Sequence, residues 1–205
     1  MDFKRPTKRP AKKSSDVPAK KKATQPALSF TENDIKLALG KNRFLTCGEF
    51  EGNLKIHIRQ YEDKDGYLVP TKVGICMSPR RFAAFRFHME AIDESVNGLK
   101  AKRFVDTKLH IGGGFYATLN TGHLCVNLRK YFYPPGKTEE VPTRFGIALR
   151  LPEWETLKTR IAELLVLKPT LEDAMRCSDS PDHNNLLIFT NCSECNHLPP
   201  DYLPL

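Results

Sequence analysis

Apolar and polar residues alternate along two separate stretches of the chain, residues 54–59 and 124–129. Every second position is apolar in both stretches, and the positions between them are mostly polar or charged. The alternating apolar residues are Leu54, Ile56, Ile58, Leu124, Val126 and Leu128. A period of two places apolar side chains on one face of a β-strand and polar ones on the other. Each stretch is therefore predicted to form a half-buried strand.

Turn signals and helical patterns flank these predicted strands. The segment "RFLTCGEF" at 43–50 predicts an earlier strand, and Gly52-Asn53 predicts the hairpin turn that follows it. Farther along, Ser78-Pro79 is typical of a helix N-terminus, and Pro152 marks the start of a second helix. Both helices carry apolar residues at helical spacing. These residues are Phe82, Phe85 and Met89 in the first helix, and Trp154, Leu157, Ile161 and Leu164 in the second.

The two sets of elements are copies of one unit. "VPTKVGI" at 69–75 returns as "VPTRFGI" at 141–147, 72 residues later. The preceding strands match at an offset of 70 residues, so the change in length falls in a turn, where it costs little. Pro70 and Pro142 lack a backbone N–H and are expected at a strand start or a β-bulge. The sequence predicts an α+β fold of two tandem β-β-β-β-α units with curved antiparallel sheets.

These patterns divide the chain into five segments. The segments are a disordered basic arm at 1–30, a first unit at 31–98, a linker at 99–107, a second unit at 108–168 and an acidic tail with cysteines at 169–205. The connecting residues 97–107 reach ~35 Å when extended, at about 3.3 Å per residue. This reach lets the two units pack as an intramolecular pseudo-dimer in a monomer, at high effective concentration. The alternative is a homodimer in which two chains pair copy with copy.

Charge is distributed unevenly around the formal net charge of +8. Residues 1–26 carry a net +7, residues 27–170 a net +6 and residues 171–205 a net −5. A basic arm and a basic middle favour a polyanionic partner, most often nucleic acid. The clusters Lys4–Lys13 and Lys20–Lys22 predict a nuclear import signal and hence nuclear localisation, against the alternative of a solvated tail. No run of about 18 apolar residues is present, so no membrane partner is expected.

The cysteines lack the compact spacing of a disulfide framework and favour a reduced setting. Cys192-x-x-Cys195 with His197, joined by Cys177 or His183, has the ligand types of a four-ligand zinc site. The spacing from Cys177 and His183 is irregular. The sequence therefore favours unliganded thiols in a loose tail and no cofactor, with zinc as the alternative.

Two short motifs resemble catalytic loops without completing them. "PPGKT" at 134–138 has Tyr131 where a phosphate-binding loop requires its earlier glycine. "HIGGGF" at 110–115 resembles an oxyanion motif, but no Gly-x-Ser-x-Gly nucleophile accompanies it, and local flexibility near a strand is the simpler explanation. The sequence predicts a protein that is not an enzyme.

The run from "LGKNRFLTCGEF" through "IHIRQY" and "VPTKVGI" to "SPRRF" resembles the C-terminal domain of the positive cofactor four family. This family comprises RNA polymerase II transcriptional coactivators. The resemblance rests on the Gly-Lys-x-Arg start, the Phe-x-Gly turn, the two strands and the helix opening, and it covers residues 36–96. The second copy, residues 108–166, matches best in "LRKYF", "RFGIALRLPEW" and the helix.

The resemblance implies a non-enzymatic domain that dimerises and binds single-stranded DNA in paired β-channels. Its DNA-facing positions match Lys41, Arg43, Phe50, Arg59 and Lys72 in the first copy, and Arg129, Phe132 and Arg144 in the second. Phe132 falls where the family has a stacking tryptophan. Glu51 and Asn53 stand where the family has lysines, and Val73 and Phe145 replace another, which implies altered DNA affinity.

These residue types suit an unpaired strand, because aromatic side chains stack on bases for ~1–3 kcal/mol each while cations follow the phosphates. The expected function is a transcriptional coactivator that binds single-stranded or melted DNA and supports RNA polymerase II, with RNA as a further candidate ligand. The competing interpretation of the residues is that Phe50 and Phe132 fill the core while Arg59 and Arg129 are merely solvated. The alternative function is a protein-interaction adaptor with a degenerate DNA-binding face and a partner-recruiting tail.

Overall fold

A computed structural model describes residues 34–183 and 185–196 of the chain. The predicted basic arm at 1–30 and His197 lie outside the described residues. None of the described helices is both long and apolar enough to cross a membrane.

Two four-stranded antiparallel sheets follow one another along the chain, each with its strands in sequential order. The first unit consists of β1 (Ile35–Gly40), β2 (Arg43–Phe50), β3 (Asn53–Lys64), β4 (Tyr67–Met77), α1 (Pro79–Phe87) and α2 (Met89–Lys100). The second unit consists of β5 (Asp106–Gly112), β6 (Phe115–Asn120), β7 (His123–Phe132), β8 (Val141–Arg150) and α3 (Leu151–Leu167). The predicted α+β fold with two tandem units is confirmed.

The C-terminal segment continues past α3 in short elements. Three single 3-10 turns lie at Pro169–Leu171, Cys177–Asp179 and Pro181–His183, and α4 spans Leu186–Asn191. Leu171 is fully buried in the core of the protein. The first part of the segment predicted as a loose tail is therefore packed on the two units.

The alternating pattern predicted the strand faces correctly except at Leu124, near the start of β7, which is 65% exposed. Ile56 and Ile58 on β3, and Val126 and Leu128 on β7, have 0% exposure. Both predicted prolines lie at irregularities in the ladder: Pro70 pairs with Tyr61 beyond a register shift in β3, and Pro142 pairs with Tyr131 in the same way. The prediction of β-bulges at the prolines is confirmed.

The glycine of the repeated heptapeptide lies where β4 and β8 approach their neighbouring strands closely. A Cβ atom on Gly74 would lie 2.6 Å from the carbonyl oxygen of Ile58, and one on Gly146 would lie 2.6 Å from that of Leu128. Real Cβ atoms do not approach a backbone oxygen so closely, so a side chain here would force the strands apart. The shared glycine in "VPT[KR]xGI" is thus a packing requirement of both sheets.

The first sheet is followed by two helices where the sequence predicted one. The break falls at His88, whose backbone N–H donates to the carbonyls of both Ala84 and Phe85. The imidazole of His88 contacts the carbonyl oxygen of His110 in β5 at 3.1 Å. No proline or glycine marks this break, so the apolar pattern of the helix runs through it without a sequence signal.

Each unit packs a helix against the sheet of the other unit across a shared interface. α3 of the second unit packs against β1 and β2 of the first, α1 of the first unit packs against β5 of the second, and β4 lies against β8. Buried residues of both units form one continuous core. At its centre the ring of Trp154 in α3 meets Phe85 in α1 edge-on, with centroids 6.0 Å apart. Within this chain the units are thus arranged as an intramolecular pair.

Candidate nucleic-acid interface

The first sheet carries a lysine over two aromatic rings on the side away from the core. The Nζ atom of Lys36 lies 4.4 Å from the ring centroid of Phe44 and 4.1 Å from that of Tyr61. The two rings meet edge-on, 5.0 Å apart. Arg59 lies directly opposite Phe44 on the neighbouring strand. We call Lys36, Phe44, His57, Arg59 and Tyr61 the first face.

The second sheet repeats this arrangement at equivalent positions. The Nζ atom of Lys108 lies 4.6 Å from the ring centroid of Tyr116 and 4.5 Å from that of Tyr131. These rings are 5.2 Å apart and again edge-on, and Arg129 lies opposite Tyr116. We call Lys108, Tyr116, Asn127, Arg129 and Tyr131 the second face. Each unit therefore arranges a lysine, two rings and an arginine in one geometry, although the ring of Tyr61 in the first unit is only 2% exposed.

The threonine of the repeated heptapeptide fixes each arginine. Arg59 donates to the carbonyl oxygen of Thr71 at 2.8 Å, and Arg129 donates to that of Thr143 at 2.7 Å. Both threonine hydroxyls donate 2.8 Å hydrogen bonds to the preceding strand, at Gln60 and Lys130. The arginines are thus held in place before any ligand arrives, which reduces the conformational entropy that binding must overcome.

The two arginines differ in how fully their donors are used. Nε of Arg129 donates to Oδ1 of Asn127 at 3.2 Å. Nε of Arg59 is buried and has no hydrogen-bond partner within the described part of the chain. A buried donor without a partner is costly, and an anionic oxygen would satisfy it. Because this Nε is buried, a ligand oxygen could reach it only if the surrounding side chains moved.

His57 occupies the position that Asn127 holds in the second unit. Burial, together with the neighbouring charges of Arg59 and Lys55, lowers the pKa of His57 to about 4. His57 is therefore neutral at pH 7, and its Nδ1 lies 3.4 Å from Arg59 Nη2, where it can accept a hydrogen bond. Neutral His57 beside Arg59 and Asn127 beside Arg129 can therefore both accept a hydrogen bond from the arginine.

This pKa predicts a pH-dependent stability. Between the ordinary pKa of 6.5 and about 4 the unfolded chain binds a proton at His57 that the folded chain excludes, so stability falls as the pH falls through this range. Replacing His57 with asparagine, the residue at the equivalent position, is expected to shrink the loss of melting temperature between pH 7 and pH 5. Equal losses in the wild type and His57→Asn would contradict the assignment.

A basic cleft lies where the two units meet beside β4 and β8. It has a volume of about 510 Å³. Its charged lining residues are Arg59 and Lys72 from the first unit and Lys130 and Arg144 from the second, with no Asp or Glu among them. Two rings, Phe115 and Phe145, complete the lining, and Phe145 is 45% exposed. We call this the seam cleft.

A second cleft, of about 600 Å³, runs along the second face and is lined by Lys108, Arg129 and Tyr131, with one carboxylate from Asp106. Arg144 lines both clefts, so they are neighbours on one surface. The guanidinium of Arg144 also lies 5.4 Å from the ring centroid of Phe145. Together the clefts form a basic track that passes from one unit to the other, in which the ammonium of Lys108 is already paired with Glu140.

Seven of the eight residues implied by the family resemblance divide into three groups in the structure. Arg59, Lys72, Arg129 and Arg144 line the two clefts. Lys41 lies in the exposed β1–β2 turn. Phe50 and Phe132 lie at strand ends and are 41% and 43% exposed, so the competing interpretation that they fill the core is wrong.

Arg43 serves the interface between the units. Its guanidinium donates to Glu153 at 2.6 Å and to the carbonyl oxygen of Ala148 at 2.7 Å, both in the second unit. Its side chain is only 20% exposed. The expectation that Arg43 faces DNA is therefore corrected. Its guanidinium forms a partly buried ion pair that holds the units together.

The sequence reasoning missed the lysine and rings of both faces. An offset of 72 residues, extended upstream into β1 and β2, aligns Lys36 with Lys108 and Phe44 with Tyr116. An offset of 70 aligns Tyr61 with Tyr131. This alignment could be made from the sequence. That the aligned residues form one cluster is visible only in the sheet, where β1 and β3 pair with opposite edges of β2.

Known proteins resemble the first unit. The family described as Transcriptional Coactivator p15 (PC4) matches residues 37–88. The RNA polymerase II transcriptional coactivator KELP of Arabidopsis thaliana is 33% identical over 64 residues, which are 31% of this chain and 39% of KELP. The chain thus spans well under half of that relative.

A second relative is covered more fully. The RNA polymerase II transcriptional coactivator KIWI of Arabidopsis thaliana is 33% identical over 84 residues, which are 40% of this chain and 78% of KIWI. With most of KIWI covered at this identity, the chain belongs to the transcriptional coactivator p15 (PC4) family.

Proposed function

We propose that this protein binds single-stranded nucleic acid along the two faces and the seam cleft, and that it acts in the nucleus as a coactivator of RNA polymerase II transcription. It works by binding and carries out no catalysis. The transcriptional role rests on family membership and on the printed names of KELP and KIWI. We propose further that the second unit, which lies outside residues 37–88, is a diverged copy of the family domain.

The observation that carries the binding proposal is the recurrence of one constellation in two units. A lysine over two rings, with a carbonyl-anchored arginine opposite, appears at Lys36 and Arg59 and again at Lys108 and Arg129. Independent core packing does not require a lysine and an arginine at the same two surface positions. Repetition of charged surface groups is expected when both units contact one repeating polymer.

The chemistry of the track favours an unpaired strand over a duplex. Exposed rings such as Phe145 and Phe132 offer flat surfaces on which bases stack, and bases in a duplex are already stacked on each other. The cations of the seam cleft lie beside Phe145, where a backbone phosphate would follow a stacked base. This proposal does not distinguish deoxyribose from ribose, so a DNA strand, oligo-dT, and an RNA strand, oligo-rU, are both test ligands.

Fluorescence anisotropy with labelled oligo-dT tests the proposal. If the four cations of the seam cleft each neutralise one phosphate, log K should fall with log salt concentration at a slope of about −2.8, from about 0.7 per contact on single strands. The variant Arg129→Ala with Phe132→Ala should bind more weakly. A duplex of the same length is the control and should bind less tightly.

Indifference of the chain to oligo-dT and to salt would contradict the binding proposal. That result would favour the alternative function, a protein-interaction adaptor in which the paired units serve as a scaffold.

A further inference from the structure

Four potential metal ligands meet on the C-terminal segment, outside both faces. They are Cys177, His183, Cys192 and Cys195, and their ligand atoms all lie within 4.8 Å of one another. Cys177 Sγ lies 3.9 Å from His183 Nε2 and 3.9 Å from Cys192 Sγ, while Cys195 Sγ lies 3.5 Å from His183 Nε2. Residues from three separate turns thus converge on one point.

These spacings match the edges of a zinc tetrahedron. With Zn–S bonds of about 2.3 Å and Zn–N bonds of 2.0–2.1 Å, tetrahedral geometry places two sulfur atoms about 3.8 Å apart and a sulfur and a nitrogen about 3.6 Å apart. The observed sulfur–sulfur separation of 3.9 Å and the sulfur–nitrogen separations of 3.5 and 3.9 Å lie within about 0.3 Å of these values. A disulfide needs sulfur atoms about 2.0 Å apart. The three cysteines of the cluster are all free thiols.

The Cys192-x-x-Cys195 turn is docked on both units by the residue inside it. Glu194 accepts two hydrogen bonds from Arg81 of α1, at 2.8 and 2.5 Å. Its carbonyl oxygen accepts a third, from the backbone N–H of Gly113 between β5 and β6, at 2.9 Å. Arg81 in turn stacks over the ring of Phe115 at 4.8 Å. One turn therefore ties a helix of the first unit to a strand of the second.

The glycine run in "HIGGGF" leaves room for this contact. A Cβ on Gly112 would lie 2.5 Å from a carboxylate oxygen of Glu194, and one on Gly113 would lie 2.3 Å from Arg81 Nη2. Both glycines also have positive φ angles, 111° and 56°. The glycine run was expected only to provide local flexibility. Instead, its lack of side chains makes room for the Cys192-x-x-Cys195 turn that packs against it.

Charged side chains of both signs surround the cluster. Three cysteine thiolates and one neutral histidine around Zn²⁺ carry a net charge of −1. The shallow cavity beside Cys177 and Cys195 is lined by Arg80, Arg81 and Arg176, together with the carboxylate of Glu194. Each arginine also pairs with an acidic residue, Asp182, Glu194 and Asp179 in that order, so the thiolate site would lie among mixed charges.

We propose that Cys177, His183, Cys192 and Cys195 bind one Zn²⁺ in a closed, structural tetrahedral site. All four positions are taken by protein ligands, so the ion has no open site for catalysis. Its role is to fix the C-terminal segment across α1 and the β5–β6 turn. The cluster contains both Cys177 and His183, whereas the sequence offered one of them together with His197.

Metal analysis of the full-length chain tests the site. The wild type is expected to contain one zinc per chain, and Cys192→Ser is expected to lose it. Cys125→Ser is the matched control, because half-buried Cys125 on β7 is outside the cluster, and it should retain the zinc. His183→Asn should lose the metal and His197→Asn should keep it; the reverse result would overturn the ligand set.

A spectroscopic measurement on the wild type keeps the proposal testable if a variant misfolds. Replacement of zinc by Co²⁺ should give the intense visible absorption of tetrahedral thiolate coordination, and a chelator should lower the melting temperature of the wild type. Wild-type chain that takes up neither Zn²⁺ nor Co²⁺ stoichiometrically would overturn the proposal. So would thiol titration under native, non-reducing conditions that reveals a disulfide between Cys177 and Cys192. These readouts involve no nucleic acid, so they are independent of the proposed function.

Discussion

Replacing Trp154 with alanine is expected to lower the free energy of unfolding by about 3–5 kcal/mol, the range for removal of a fully buried large aromatic side chain. Trp154 has 0% exposure, and its indole N–H donates to Asp93 of α2 at 2.7 Å. Its ring packs on Phe85 of α1. The substitution therefore removes contacts between the units, and both units should lose stability together in one transition.

Chemical denaturation followed by circular dichroism measures this effect. Val166→Ala is the matched control on the same helix, because Val166 is 79% exposed and its loss should change stability by less than about 0.5 kcal/mol. Trp154→Phe should fall between the two, because it keeps a ring and loses the hydrogen bond to Asp93. Two separate unfolding transitions, with only one shifted by Trp154→Ala, would show that the units do not share a core.

The double variant Arg59→Ala with Arg129→Ala is expected to bind oligo-dT at least about 100-fold more weakly. Charge-assisted hydrogen bonds contribute about 1.5–3 kcal/mol each, and about 1.4 kcal/mol corresponds to a tenfold change in affinity. Both guanidiniums are pre-positioned by Thr71 and Thr143, so their loss cannot be replaced by a simple side-chain rotation. The salt slope should become shallower by about 0.7 for each lost contact.

Two controls separate charge from position in this experiment. Lys102→Ala with Arg103→Ala removes the same charge from exposed residues beyond α2, outside both clefts, and should leave binding nearly unchanged. Arg59→Lys with Arg129→Lys retains the charge but loses the planar fork, and should give an intermediate affinity. Equal weakening by the two alanine pairs would show that only net charge matters and that the faces do not form the site.

The strands and the core could be predicted from the sequence because they follow from local periodicity. The alternation around Ile56 and Val126 identified the buried faces, and the helical stripe containing Trp154 identified the buried side of α3. The repeat then predicted the second unit from the first. Period and repetition are properties of neighbouring residues, which a single sequence displays directly.

The contacts between the units could not be predicted in the same way. Arg43 pairs with Glu153, 110 residues later, and Arg81 pairs with Glu194, 113 residues later. In the equivalent place to Arg43 the second unit has Phe115, which stacks on Arg81. The sequence of one unit does not show that it contacts the other unit at Arg43 or the C-terminal segment at Arg81. The resemblance therefore implied that Arg43 faces DNA, and the sequence indicated only flexibility for the glycine run.

The tail illustrates the same limit. Cys192 and Cys195 were recognisable as a pair from their spacing, whereas Cys177 and His183 are brought to them by 3-10 turns with no periodic signal. The roles of Arg59, Lys72, Arg129 and Arg144 in binding remain predictions, but their placement along two adjacent clefts gives those predictions a defined surface.

Light scattering on the chromatographically isolated complex with oligo-dT tests most directly whether one polypeptide supplies both halves of the nucleic-acid surface. We predict a mass equal to one chain with one strand, because helices of each unit already pack on the sheet of the other unit of the same chain. A stable complex of two chains per strand, or no complex at all, would contradict this arrangement.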